Sequence, residues 1–138
     1  MSVEIRVLRK FSARVARARL QRVAKQTLRA ENVFAALTIY ITDDAEMRAL
    51  NRKFHATNAA TDVLSFPTSA RDYLGDVVIS YDHARIQARA ARGRIADELE
   101  LLAVHGILHL LGYDDTKPRA RKRMQVRHEE ILGQAAKE

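Results

Sequence analysis

The segment at residues 95–111 constrains this chain most. Leu99, Leu101, Leu102, Val104, Ile107, Leu108, Leu110 and Leu111 spread apolar groups around most of a helix's circumference. A helix wet on one side carries its apolar groups in a stripe, whereas one apolar nearly all round must be enclosed by other elements. The spacing therefore predicts a central helix with the domain built about it, ended by Gly112 in a left-handed cap. Into that apolar surface the sequence sets His105 and His109, four residues apart and hence on one face, their Cβ atoms roughly 6 Å apart.

Two hydrogen-bonded core histidines are the plain reading of such a pair. Leaving each imidazole buried without partners costs roughly 1–3 kcal/mol per polar group, and a shared metal ion removes that cost for both. Zinc accepts imidazole nitrogen and carboxylate oxygen at about 2.0–2.2 Å, and a catalytic site has three protein ligands and one open position. Gly112 turns the chain back, and Asp115, three residues further, supplies the third ligand; Asp114 is its near rival. His105, His109 and Asp115 are thus expected to hold one catalytic metal ion, Zn2+ first. The carboxylate oxygen leaves room for another divalent ion. With no cysteine in the chain, a metal has only His, Asp and Glu to bind.

The pattern His-x3-His-x2-Gly-x2-Asp has the ligand spacing of metzincin peptidases, which carry Glu directly after the first His as general base. This chain has Gly106 there, which moves no proton, so a metallopeptidase stands only as an alternative. Charge points elsewhere: 24 Lys and Arg against 17 Asp and Glu give a net +7, which favours polyanions, nucleic acid ahead of an anionic membrane. The chain starts without a signal peptide's apolar core and has no membrane-length apolar run of roughly 20 residues. A soluble cytoplasmic protein with no membrane partner is expected.

The 138 residues, 47% hydrophobic, suit one domain over 1–138. Periodicity predicts a strand at 3–8, a helix at 13–30, a strand at 34–42, and a helix capped by Asp43 or Asp44 and running through Phe54. Strands follow at 62–66, ended by Pro67, and at 76–80, entered through Gly75, with 68–73 as a loop between them. An alanine-rich helix at 84–92 stops at Gly93, and a last helix starts at Pro118 and carries Met124, Ile131 and Leu132. The fold class is α+β: a mixed sheet of about four strands packed with the central metal-bearing helix and flanking helices.

The run His105-Gly106-Ile107-Leu108-His109-Leu110-Leu111-Gly112-Tyr113-Asp114-Asp115 closely resembles the signature of the YbeY family of bacterial endoribonucleases and ribosomal RNA maturation factors. Two upstream segments resemble it too, Thr61-Asp62-Val63-Leu64-Ser65-Phe66-Pro67 and Leu74-Gly75-Asp76-Val77-Val78-Ile79-Ser80, as does Met124 with Glu130-Ile131-Leu132. The resemblance covers residues 50–132. It implies a zinc-dependent, single-strand-specific endoribonuclease acting in 3′-end maturation of small-subunit ribosomal RNA and in ribosome quality control. The implied partners are single-stranded RNA and the small ribosomal subunit, with no cofactor beyond the metal. A ribosome assembly factor with a structural metal is the non-catalytic alternative.

This chain departs from the family pattern at two places. The family's third ligand is ordinarily His, here Asp115. An arginine usual in the family, thought to contact RNA or transition-state charge, is here His55, which lacks a guanidinium fork and passes weight to Arg52 and Lys53. Arg119, Lys122 and Arg123, just past the metal turn, are further candidate RNA contacts, or simply a solvated face. Asp62 and Asp76, at strand ends, are candidate general bases, or turn caps. Glu98 lies about 10 Å along the helix from His105, too far to ligate. His83 and His128 fit no ligand spacing and are expected at the surface.

Overall fold

A computed structural model describes residues 1–137, with side chains through 134. The elements run β1 (Ser2–Val7), a 3-10 turn (Arg9–Arg14), α1 (Arg17–Ala30), β2 (Ala36–Thr42), α2 (Asp44–His55), β3 (Val63–Pro67), β4 (Tyr73–Ser80), α3 (Tyr81–Ala90), α4 (Ile95–Leu110) and α5 (Pro118–Lys137). The sheet order is β1-β2-β4-β3. β1, β2 and β4 are mutually parallel, and β3 is antiparallel to β4. The expected four-stranded mixed sheet in an α+β domain is the observed architecture.

Alternation along the strands fixes which sheet face is inside. Val3 and Ile5 of β1, Leu37, Ile39 and Ile41 of β2, and Val77 and Ile79 of β4 are buried in one core with Leu20, Ala24 and Leu28 of α1 and Leu99, Leu102, Ala103 and Ile107 of α4. The reverse side of α4 is covered as well: Val104 and Leu108 pack with Val23, Met124 and Ile131 under α5. α4 therefore lies between the sheet and α5, with α1 packed beside it on the same sheet face, as its apolar circumference demands. No helix among the described residues is long and apolar enough to cross a membrane.

Several boundaries differ from expectation for local reasons. The first helix begins at Arg17, because residues 9–14 form a 3-10 turn that places Phe11 against Tyr81, ring centroids 4.3 Å apart. β4 begins at Tyr73, three residues before its expected start, and Gly75 lies within it. A Cβ there would fall 2.2 Å from the Phe66 carbonyl oxygen, so glycine lets β3 and β4 pair through this position. α3 starts at Tyr81, capped by Ser80 Oγ, which accepts from the His83 amide at 3.0 Å. The left-handed residue ending α3 is Arg92, φ 55°, and not Gly93. Asp43 caps α2, accepting from the Glu46 amide at 2.9 Å. Gly112 makes the expected left-handed cap of α4, φ 98°.

Candidate metal centre

His105 and His109 lie on the last turns of α4, and Asp115 in the loop before α5 returns toward them. Each offers one ligand atom, and the three atoms lie within 4.8 Å of one another. The two Nε2 atoms are 3.0 Å apart. Asp115 Oδ2 is 3.5 Å from His109 Nε2 and 3.8 Å from His105 Nε2. A tetrahedral ion with ligands at about 2.1 Å separates its ligand atoms by roughly 3.4 Å, so the triangle fits one ion without rearrangement. All three side chains are partly exposed, which leaves a position facing solvent.

The loop conformation selects Asp115 over its neighbour. Asp114 Oδ1 accepts from the Thr116 amide at 2.9 Å and Oδ2 from the Thr116 hydroxyl at 2.8 Å, a turn that consumes Asp114 and holds its carboxyl below the usual range. His109 is oriented from behind. Its Nδ1 lies 3.0 Å from the Tyr113 carbonyl, which can only accept, so Nδ1 carries the proton and Nε2 presents a lone pair to the triangle. Burial, and then the neighbouring His109, push the His105 pKa below its ordinary value, which favours the neutral, ligating form.

Gly106 lies on the opposite side of this turn from solvent. A Cβ there would come 2.4 Å from Val77 Cγ1 and 3.1 Å from Val63 Cγ2, and the Gly106 carbonyl accepts from Ser65 Oγ at 2.8 Å. The position that holds glutamate in the peptidases is here pressed onto the sheet.

The triad opens into a cleft of about 400 Å³ that His55 and Asp62 also line. Asp62 Oδ1 accepts from the Val63 amide at 2.8 Å, and Oδ2 from Gln87 Nε2 at 3.3 Å. The His55 ring lies 5.6 Å from that of Phe66. Asp76 is not brought into this cleft. It bonds the Tyr73 hydroxyl and lines a larger hollow of about 950 Å³ with Thr38 and Tyr40, on the outward-facing side of the sheet. Arg52 and Lys53, on the last turn of α2, are exposed and do not line the metal cleft. Arg119, Lys122 and Arg123 are exposed on the first turns of α5. Glu98 is kept from the triad by its place early in α4, and burial raises its carboxyl pKa.

Two histidines expected at the surface are only partly exposed. His83 is half-buried, with Nδ1 2.6 Å from Asp44 Oδ1, and joins the starts of α2 and α3. The His128 ring packs 6.1 Å from that of His105, and its Nε2 is buried without a hydrogen-bond partner. The spacing of His128 in sequence carries no sign of this, because α5 crosses α4 only in three dimensions.

The family model described as Endoribonuclease YbeY matches residues 4–136. A protein of Roseiflexus castenholzii with that name is 39% identical over 95% of this chain and 91% of its own length. Another, from Chloroflexus aggregans, is 39% identical over 96% of this chain and 95% of its own. The solution structure of a Thermotoga maritima protein shares the fold, with TM-score 0.60 and 22% identity over 94% of this chain and 90% of that one.

Proposed function

Because the chain belongs to the Endoribonuclease YbeY family, we propose that it is a zinc-dependent endoribonuclease specific for single strands. Its role is to mature the 3′ end of small-subunit ribosomal RNA and to act in ribosome quality control, on the small ribosomal subunit in the cytoplasm. The observation that carries this reading is the triangle of His105 Nε2, His109 Nε2 and Asp115 Oδ2 at the mouth of a cleft in a chain of net charge +7. A bound zinc ion supplies Lewis acidity toward a phosphate oxygen and lowers the pKa of water.

The chain's own groups do the rest. Asp62, which lines the same cleft, holds the proton of the attacking water in this reading, a task not given to Asp76, which lines the other hollow. The His55 ring, which lines the cleft and packs against Phe66, offers an aromatic face to a base lifted from its stack, which favours single strands over duplex. Arg119, Lys122 and Arg123, with Arg52 and Lys53 at the end of α2, hold phosphates on either side.

The two alternatives are less well supported. A structural metal takes four closed ligands, whereas the described residues offer a three-membered, partly exposed group. Peptide hydrolysis lacks its glutamate, and Val77 leaves no room for one at position 106. Cells depleted of the protein test the proposal. Small-subunit ribosomal RNA with an extended 3′ end is expected to accumulate and to be processed again by wild type but not by His109→Ala. Full processing by His109→Ala would leave a non-catalytic assembly role in its place.

A further inference from the structure

We propose that His128 is a positioning residue of the metal centre, whose Nε2 accepts a hydrogen bond from the Nδ1–H of His105 and fixes that ligand's tautomer and ring orientation. The inference rests on the metal reading above and adds a residue from α5 to a site otherwise built by α4 and the loop after it.

The argument is one of donors and acceptors. A neutral imidazole has one N–H and one lone pair. His128 is bonded to the backbone of Leu101, whose carbonyl can only accept, and its Nε2 has no partner. Its proton is therefore on Nδ1, and a lone pair sits on a buried Nε2. Leu101, His105 and His109 follow one another at intervals of four along α4, so a ring anchored at Leu101 lies along the same face as the ligands.

His105 has the complementary need. With Nε2 turned toward the shared ion, its proton moves to Nδ1, and a metal-bound histidine donates that proton to a fixed acceptor. His109 has the Tyr113 carbonyl for this purpose, at 3.0 Å. For His105 the hydrogen bonds among the described residues supply only the contact to His109 Nε2, on the ligating side. The buried acceptor beside it is His128, whose ring centre is 6.1 Å away at an interplanar angle of 47°. The proposed bond requires the two rings to close from this separation, as side-chain rotation within a rotamer well allows. An unpaired buried nitrogen is costly, and its persistence here is explained if it is satisfied only when the centre is loaded.

His128→Leu and His128→Gln separate this role from packing. Leucine fills the space without a polar atom, and glutamine restores an acceptor. Zinc affinity, read by chelator competition on the full chain, is expected to fall about 10- to 100-fold in His128→Leu and to return toward wild type in His128→Gln. The zinc-free His128→Leu protein is expected to melt higher than zinc-free wild type, since the orphaned nitrogen is gone. Nitrogen-15 spectra of the zinc-loaded wild type should show His128 protonated at Nδ1 and unprotonated at Nε2. Wild-type affinity in His128→Leu overturns the proposal, and so does a loss that glutamine does not rescue, which would mark packing alone. If wild type binds no zinc at all, the metal reading falls first and His128 falls with it.

Discussion

The Nδ1 of His109 lies 3.0 Å from the carbonyl oxygen of Tyr113, so the turn that ends α4 also orients a histidine carried on α4. Gly112 makes that turn at φ 98°, donating its amide to the His109 carbonyl at 3.0 Å while Tyr113 donates to Leu108. An alanine at 112 meets no atom within 4 Å but must adopt a conformation that L residues resist. Gly112→Ala is expected to lower stability by about 1–2 kcal/mol and to weaken zinc binding as the Tyr113 carbonyl shifts. Denaturant unfolding and chelator competition check both, and wild-type values in each would contradict this coupling of cap and ligand.

Gly106 sets two effects against each other. On helix propensity alone, alanine at an interior glycine stabilises by about 1 kcal/mol. Here the added Cβ would meet Val77 Cγ1 at 2.4 Å, on a fully buried β-branched side chain that has little freedom to move. Overpacking of this kind costs about 1–3 kcal/mol, so the net sign is destabilising. Urea unfolding of Gly106→Ala is expected at a lower midpoint than wild type, and a higher midpoint would show that α4 can lift from the sheet.

The parts of the centre legible in sequence were local. The all-round apolar pattern of α4, the interval of four between its histidines, the Gly112 cap and the reach of Asp115 are all set within twenty-one residues, and helix geometry converts them directly into a site. The parts not legible depend on which elements meet. His128 reaches α4 from a different helix, and His83 is half-buried only because α2 starts beside α3. Asp76, in a segment that resembles the family's, falls on the outward face of the sheet, because alternation in β4 sends Val77 and Asp76 to opposite sides. The shifted start of α3 had a local signal in Ser80, a good N-cap, obscured by the polar residues Asp82 and His83 that follow it.

Burial lowers the pKa of His105 and His128, each further depressed by a neighbouring histidine. The unfolded chain takes up these protons near pH 6.5 and the folded, metal-free chain only at lower pH. Stability from these groups is therefore complete above about pH 6.5 and lost as pH falls through that value toward their folded pKa. Glu98, with its carboxyl pKa raised by burial, acts in the opposite direction at the acid end. Urea midpoints measured in chelator are expected to be lower at about pH 6 than at about pH 7.5, and an equal or higher midpoint at pH 6 would contradict these directions.

If Arg119, Lys122 and Arg123 each contact phosphate, their removal changes the salt dependence of RNA binding by a calculable amount. Each phosphate contact to a single strand contributes about 0.7 to the slope of log K against log salt, so the triple change to Gln should flatten it by about 2. Affinity for single-stranded RNA over a salt series gives the slope directly. An unchanged slope would return these residues to the solvated surface.

The most direct test is zinc content by mass spectrometry alongside cleavage of a single-stranded RNA, with and without chelator, for wild type, His109→Ala and Asp115→Ala. About one zinc per wild-type chain is expected on the three-ligand geometry, with zinc and cleavage lost together in chelator and in His109→Ala, and zinc much reduced in Asp115→Ala. Near-stoichiometric zinc in Asp115→Ala would remove that residue from the ligand set. Cleavage that survives both chelator and His109→Ala would contradict a metal nuclease at this site.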